Sequence, residues 1–348
     1  MRTPDDAVIQ QVALQRVWAT VDPFLFCVHH DDDYPEGDDD LGPCVPLVGR
    51  DLGMDFSGRD GWSMYHGSLV PGFPQHPHRG FETISFMRGG FMDHSDSLGA
   101  AARFGRGDVQ WMTAGSGIVH AEMFPLLNDA RRNPTELFQI WINLPARDKM
   151  VPPHFAMLWA HEIPQHTFLD DAGRPTTVTV VAGEVVPGTR APAPPPHSWA
   201  ARPDTDVGIW HLRLAADARW TLPPTGHPDT VRTLYVFGQG ALRIGNSEVG
   251  AGHAAVLRGD VPVEVVDDTG AGTEALVLQG RPIGEPVVQY GPFVMNDRQG
   301  IQRAYEDYRE TGFGGWPWPV DDPHHGHAVR RFARHADGRT EELAATGG

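Results

Sequence analysis

Cysteine is nearly missing from this chain: Cys27 and Cys44 are the only two in 348 residues. Two thiols cannot build a disulfide framework, and they read as ordinary reduced cysteines. Long apolar runs are missing too. Nothing approaches the roughly 18 residues of a membrane helix, and the start has no charged stretch followed by an apolar one. Basic residues are in deficit, with 28 Lys and Arg against 45 Asp and Glu, a net charge of −17. Phosphate binding needs clustered Lys and Arg, so a nucleic-acid groove built on bulk charge is excluded. These absences argue against a stapled secreted scaffold, a helical membrane protein and a direct nucleic-acid partner. The expectation is a soluble protein of the cytoplasm.

Turn formers are abundant: 40 Gly and 31 Pro make up a fifth of the chain and punctuate many short Val/Ile/Thr runs. That pattern points to turn-rich β structure. The length suffices for two domains. Residues 7–14 fit either a short helix or an added strand. Asp22 to Val28 read as a strand, and the acid-dense stretch from His29 to Asp40 reads as a solvated loop that can edge a site mouth. Glu136 to Leu144 form a long apolar strand that Pro145 ends. The strand pattern restarts at Thr176 and continues to about Gln279. Asn296-Asp297 can cap a helix over Arg298 to Arg309, with Ile301, Ala304, Tyr305 and Tyr308 on one face. The remainder is polar and punctuated by Gly and Pro, and reads as a flexible tail that includes His324, His325 and His327.

The chemistry concentrates between residues 76 and 122. His76-Pro77-His78 and His120-Ala121-Glu122 are two ligand-x-ligand pairs, each set among strand-like residues. Side chains two apart on a strand share a face. Two such strands facing each other in a small barrel would bring His76, His78, His120 and Glu122 around one point. Three imidazoles and a carboxylate suit a first-row divalent metal with open coordination positions, and ligand type alone leaves Fe, Mn, Ni, Cu and Zn close. His94 and Asp96 sit in a turn-rich segment and read as hydrogen-bonding turn residues. In the second half, His227, His253 and Glu274 lack ligand spacing.

These residues carry a family resemblance. Gly72, His76, His78, Glu82 and Gly89 resemble the first cupin motif, with a shortened gap before the first His. Gly107 to Gly115 and His120 resemble the second, with Thr113 where cupins usually show Pro. HPHRGFETIS from His76, GDVQWMTAGSGIVHAEM from Gly107, ELFQIWINLPARDKMVPPHF from Glu136 and GEPVVQYGPFVMN from Gly284 look like the pirin family, in blocks from about Asp22 to Gly314.

The resemblance implies a mainly all-β bicupin of two stacked antiparallel β-barrels with a short C-terminal helix. It implies a metal-binding domain over 1–165, a metal-free one over 166–314 and a polar tail over 315–348. It moves the metal to a single Fe(II) and implies cleavage of a flavonol with O2, as in a quercetin 2,3-dioxygenase. Glu122 would be both ligand and base for the 3-hydroxyl, and Glu82 would hold a supporting place, such as fixing a histidine tautomer. Pirins also act as iron-dependent redox regulators of a partner protein, and the ligand motif serves both roles equally.

Overall fold

Short strands separated by Gly-centred turns generate antiparallel sheets throughout the computed structural model, which describes residues 7–343. The chain folds into two compact units that interleave along the sequence. One comprises residues 7–28 and 161–284, the other residues 29–160 and 285–343. This differs from the contiguous ranges 1–165 and 166–314: the first strand belongs with the later half, and the C-terminal helix with the earlier one. No helix among the described residues is long and apolar enough to cross a membrane.

In the first unit a seven-stranded sheet packs on a four-stranded one. Val178, Val180, Trp210, Leu212, Leu234 and Leu276's neighbours Ala275 and Val277 form part of its apolar core. The ambiguous N-terminal stretch is a strand, Val8–Ala13, that pairs antiparallel with His253–Leu257. Its pattern was undecided because an edge strand is specified by its partner as much as by itself. Both cysteines of the chain are free thiols.

In the second unit a five-stranded sheet runs in the order His154–Leu158, Val109–Thr113, Phe81–Gly89, Asn133–Asn143 and residues 29–34 of the strand Phe24–Tyr34. A six-stranded sheet runs Thr340–Leu343, Arg331–Arg334, Ala101–Gly105, Phe91–Asp96, Ile118–Met123 and Gly72–His78. Their inner faces meet around Met87, Met92, Phe104, Leu137, Phe155 and Met157. The helix Arg298–Thr311 is capped by Asp297, whose carboxylate accepts from the Gly300 N–H, and stops at Gly312 in a left-handed conformation. Its buried Ile301 and Ala304 pack with Phe293, Phe313 and Val119.

Two expectations are corrected here. The acid-dense stretch is not a loop from His29: residues 29–34 continue the strand Phe24–Tyr34. Asp31 and Asp33 are exposed while His30, Asp32 and Tyr34 are buried. The buried face is satisfied, since Asp32 accepts from the Ser63 N–H (2.9 Å) and the Tyr65 hydroxyl (2.6 Å). Alternate acids thus fit a half-buried strand when the inward one is hydrogen-bonded.

The C-terminal segment is likewise built in. Arg331–Arg334 pairs with Ala101–Gly105 and forms a hairpin with Thr340–Leu343. Upstream, Trp318 donates to the Asp96 carbonyl, and the His325 N–H donates to Asp93. Asp93 also holds the fully buried Arg103 in a bidentate pair at 2.6 Å for both contacts. A polar stretch can be fixed by such partners, which composition does not reveal.

Lys149, the chain's one lysine, ties the second unit together. Its ammonium donates to the Gly80 carbonyl, the Asn143 side chain and the Val294 carbonyl at 2.8–3.1 Å. Burial pulls it down to about 8, with Glu285 opposing. The unfolded chain therefore holds this proton more tightly than the folded one, and stability from this group rises as pH climbs from about 8 to about 10. Thermal melts across that window should show the wild type gaining relative to Lys149→Met. A constant difference between the two would contradict the shift.

Candidate metal centre

The edge strand Gly72–His78 pairs with Ile118–Met123 so that His76 lies opposite His120 and His78 opposite Ile118. Directly opposed residues point to the same face, so His76, His78 and His120 converge inside the second unit. Among the described residues they form one group whose ligand nitrogens all lie within 4.8 Å of one another. Ring centroids are 4.4 Å apart for His76 and His120, 4.9 Å for His78 and His120 and 4.8 Å for His76 and His78.

A bulge shapes the rim. Between Phe73 and His76 the register slips, so that Phe73 faces Glu122 while His76 still faces His120. Phe73 then stacks on Tyr65 at 5.1 Å and lies 6.4 Å from His76. The acid-dense strand supports this wall, because Tyr65 is held by Asp32 and by His30. After His78 the chain turns at Gly80, φ +86°, where a Cβ would sit 2.0 Å from the Val294 carbonyl oxygen. Only glycine tolerates both the conformation and the approach.

The electrostatics favour neutral imidazoles. Burial lowers His76 to about 4, with nearby His66 and His94 adding to the effect against an opposing bond to Pro74. Burial and then His76 push His78 well below the imidazole range, and burial with the neighbouring histidines does the same to His120. The tautomers are partly fixed. Nδ1 of His76 donates to the Pro74 carbonyl at 2.8 Å, and Nδ1 of His78 to the Pro292 carbonyl at 3.4 Å. Each leaves Nε2 as a lone-pair donor. His120 is fully buried, and neither of its ring nitrogens has a hydrogen-bond partner. Such an orphaned group costs about 1–3 kcal/mol, and a bound cation would remove that cost. The donor set therefore fits a metal ion.

Glu122 is outside the three-histidine group but beside it, with an oxygen 4.0 Å from His120 Nε2. It is buried, and that burial raises its pKa. Bonds from Ser85 and Gln139 and the proximity of His94 hold the rise back. Ser85 Oγ lies 2.8 Å from one Glu122 oxygen, and the Gln139 amide donates to the other at 3.4 Å. Ser85 and Gln139 come from the facing five-stranded sheet, so the carboxylate is gripped across the barrel.

The structure also places the residues set aside from sequence. His94 is no turn residue: it lies on the strand Phe91–Asp96, opposite Glu122, fully buried. Its Nε2 is 3.2 Å from Asp96 and its Nδ1 has no partner. Glu82 lies on the opposite face of its strand from Ser85 and accepts from Thr113 at 2.6 Å. Thr113 thus has a job of its own at the usual proline position. Glu274 bonds His211 at 2.7 Å, and His253 Nδ1 bonds the Ala251 carbonyl. Sequence reading missed Ser85, Gln139, His94 and the Pro292 carbonyl.

Two family models match this chain: pirin over residues 7–142 and the pirin C-terminal cupin domain over 209–314. A Pseudomonas aeruginosa protein, provisionally named a quercetin 2,3-dioxygenase, is 39% identical over 244 residues, spanning 69% of this chain and 80% of its own. The chain belongs to the pirin family. Human pirin is 34% identical over 256 residues, covering 72% of this chain and 80% of its own. A crystal structure of quercetin 2,3-dioxygenase from Acinetobacter baumannii aligns with a TM-score of 0.68 at 25% identity, covering 89% of this chain and 98% of that one. The fold is accordingly mostly β with two cupin-like domains, the pirin architecture, and the three-histidine group lies within the stretch that the first pirin model matches.

Proposed function

We propose that this pirin-family chain is a metal-dependent dioxygenase that cleaves a flavonol with O2, of the quercetin 2,3-dioxygenase type, working in the cytoplasm. The observation that carries the reading is the convergence of three neutral imidazoles, two buried and one half-buried, beside a buried carboxylate. His76, His78 and His120 would hold Fe(II), and Glu122 would complete the set. The metal chemistry resides in the unit of residues 29–160 and 285–343. The names of the Pseudomonas and Acinetobacter proteins support the flavonol class.

A metal ion held there would supply Lewis acidity, which lowers the pKa of a substrate hydroxyl, and redox capacity toward O2. The rest falls to the chain's own side chains. Glu122 accepts the proton of the flavonol 3-hydroxyl at a carboxylate oxygen, and its raised affinity for protons makes it a better base than an exposed glutamate. Ser85 and Gln139 hold that carboxylate in place. Trp141, whose ring lies 5.4 Å from His78 and 4.3 Å from Phe81, gives the inner wall an aromatic face for a planar substrate. The electron-rich flavonolate reacts with O2, and the heterocyclic ring opens with loss of carbon monoxide.

The test is anaerobic purification, metal analysis and O2 uptake with quercetin by the iron-loaded protein. Stoichiometric iron with quercetin-dependent O2 uptake and carbon monoxide release is the expected result. Stoichiometric iron without turnover would overturn the enzymatic reading and favour an iron-dependent redox regulator acting on a partner protein.

A further inference from the structure

The segment that follows the C-terminal helix is bonded to the sheet that carries the three histidines. In that sheet Ile118–Met123, with His120, lies between Phe91–Asp96 and Gly72–His78. Residues 316–325 hold on to both flanking strands. Trp316 packs against the cluster that contains Val119, the neighbour of His120. On one flank the Trp318 indole N–H donates to the Asp96 carbonyl at 2.9 Å, and His325 Nε2 donates to the His94 carbonyl at 2.9 Å. On the other flank Asp321 meets Gln75, 246 residues away.

The contact with Gln75 is double. Its backbone N–H donates to the Asp321 carbonyl at 2.7 Å, and its side-chain amide donates to the Asp321 carboxylate at 2.7 Å. It falls on the bulge, where the register passes from Phe73 opposite Glu122 to His76 opposite His120. Pro74 and Gln75 lie within that slip. A bulge takes its residues out of the ladder and re-aims the side chains beside it, so its backbone groups need other partners. Here one peptide group serves two of them. The Gln75 N–H and the Pro74 carbonyl belong to the same planar amide, so fixing the direction of one fixes the other. The N–H is held by Asp321, and the carbonyl accepts from His76 Nδ1 at 2.8 Å.

We infer that Asp321 is a positioning residue for the metal centre: through the Pro74–Gln75 peptide it sets the ring direction of His76 and keeps the tautomer that leaves Nε2 for a metal. The inference rests on the reading of His76 as a metal ligand. His76 is half-buried, whereas His78 and His120 are buried. Packing therefore restrains its ring less, and the hydrogen bond to Pro74 carries more of its orientation. Donation to Asp321 also polarises the amide, which makes the Pro74 carbonyl a better acceptor. Outer partners of a metal-bound histidine contribute about 10–100-fold in metal affinity.

The experiment is titration of the full-length chain, freed of metal, with Co(II), a coloured divalent ion that suits imidazole ligands. Affinity, the Co(II) absorption spectrum and the metal-free melting temperature are recorded. The wild type should bind one Co(II) per chain. Asp321→Ala should bind it about tenfold more weakly, the lower end of the range for outer partners, with an altered spectrum. Its melting temperature should move little, since surface substitutions seldom cost much stability. Gln75→Ala removes the same side-chain bond from the other side and should have the same effect, with the double variant no worse than either single one. It decides the matter if Asp321→Ala fails to fold. Asp321→Asn keeps an oxygen that can accept from Gln75 and should restore affinity and spectrum. Unchanged Co(II) affinity in a folded alanine variant, weakening in Asp321→Asn equal to that in Asp321→Ala, or losses that follow the melting temperature would overturn this role and leave the three ligands in place. No Co(II) bound by the wild type would overturn the metal reading itself, and this inference with it.

Discussion

Replacing His120 by Ala is expected to abolish stoichiometric metal binding while leaving the barrel folded. His120 forms a near-equilateral trio with the other two histidines, its ring centroid 4.4 Å from that of His76 and 4.9 Å from that of His78. Two histidines on one edge strand cannot replace its share of the coordination. The apoprotein should lose little stability. Deleting the ring leaves a cavity, and large-to-small changes in a core cost about 2–5 kcal/mol. Against this, the change removes two buried nitrogens that have no partner, a relief of about 1–3 kcal/mol for such groups. The two effects nearly cancel, so apo melting temperatures should differ by only a few degrees. The metal-dependent rise in melting temperature should vanish, because that rise follows from metal binding to the native state alone. Metal analysis and paired melts with and without Fe(II) check both statements. Full metal content in His120→Ala would refute the ligand assignment.

Glu122→Gln should retain the fold and much of the metal, yet lose quercetin turnover by about 10²–10⁴-fold, the usual worth of a positioned general base. The amide is close to the carboxylate in shape and can still meet Ser85 and Gln139, which hold the native side chain. What it lacks is the negative charge that receives a proton. The decisive readout is the split between effects. A fall in kcat with iron content retained indicates lost base function, whereas equal losses of iron and activity would reduce Glu122 to a ligand. Undiminished turnover would remove it from the mechanism.

Much of this centre was legible before any coordinates, because the period of a strand is two and carries its own geometry. His76 with His78, and His120 with Glu122, each had to share a face once their segments were strands. The apolar stretch from Glu136 and the capping Asp297 likewise announce a wall strand and a helix start, and the structure has Asn133–Asn143 and Arg298–Thr311 there. Glu82 shows where counting stops working. The positive φ at Gly80 interrupts the alternation after His78, so the face on which Glu82 lies depends on the turn. His94 shows a second gap, since its short segment between Gly90 and Gly99 resembles a turn until its pairing with Ile118–Met123 is known.

The sequence by itself determined that the chain is rich in short strands and holds two pairs of potential ligands of matched spacing, because these follow from local alternation and residue chemistry. Tertiary structure alone decided which sheet faces which, and so that Ser85 and Gln139 grip Glu122 and that the Pro292 carbonyl, 214 residues away, orients His78. It also decided that residues 315–343 join the unit that holds the three-histidine group and that Arg232 ends buried with an unmatched donor. Hydrogen bonds between distant segments are satisfied only by the final packing, and no local pattern encodes which carbonyl or carboxylate will arrive.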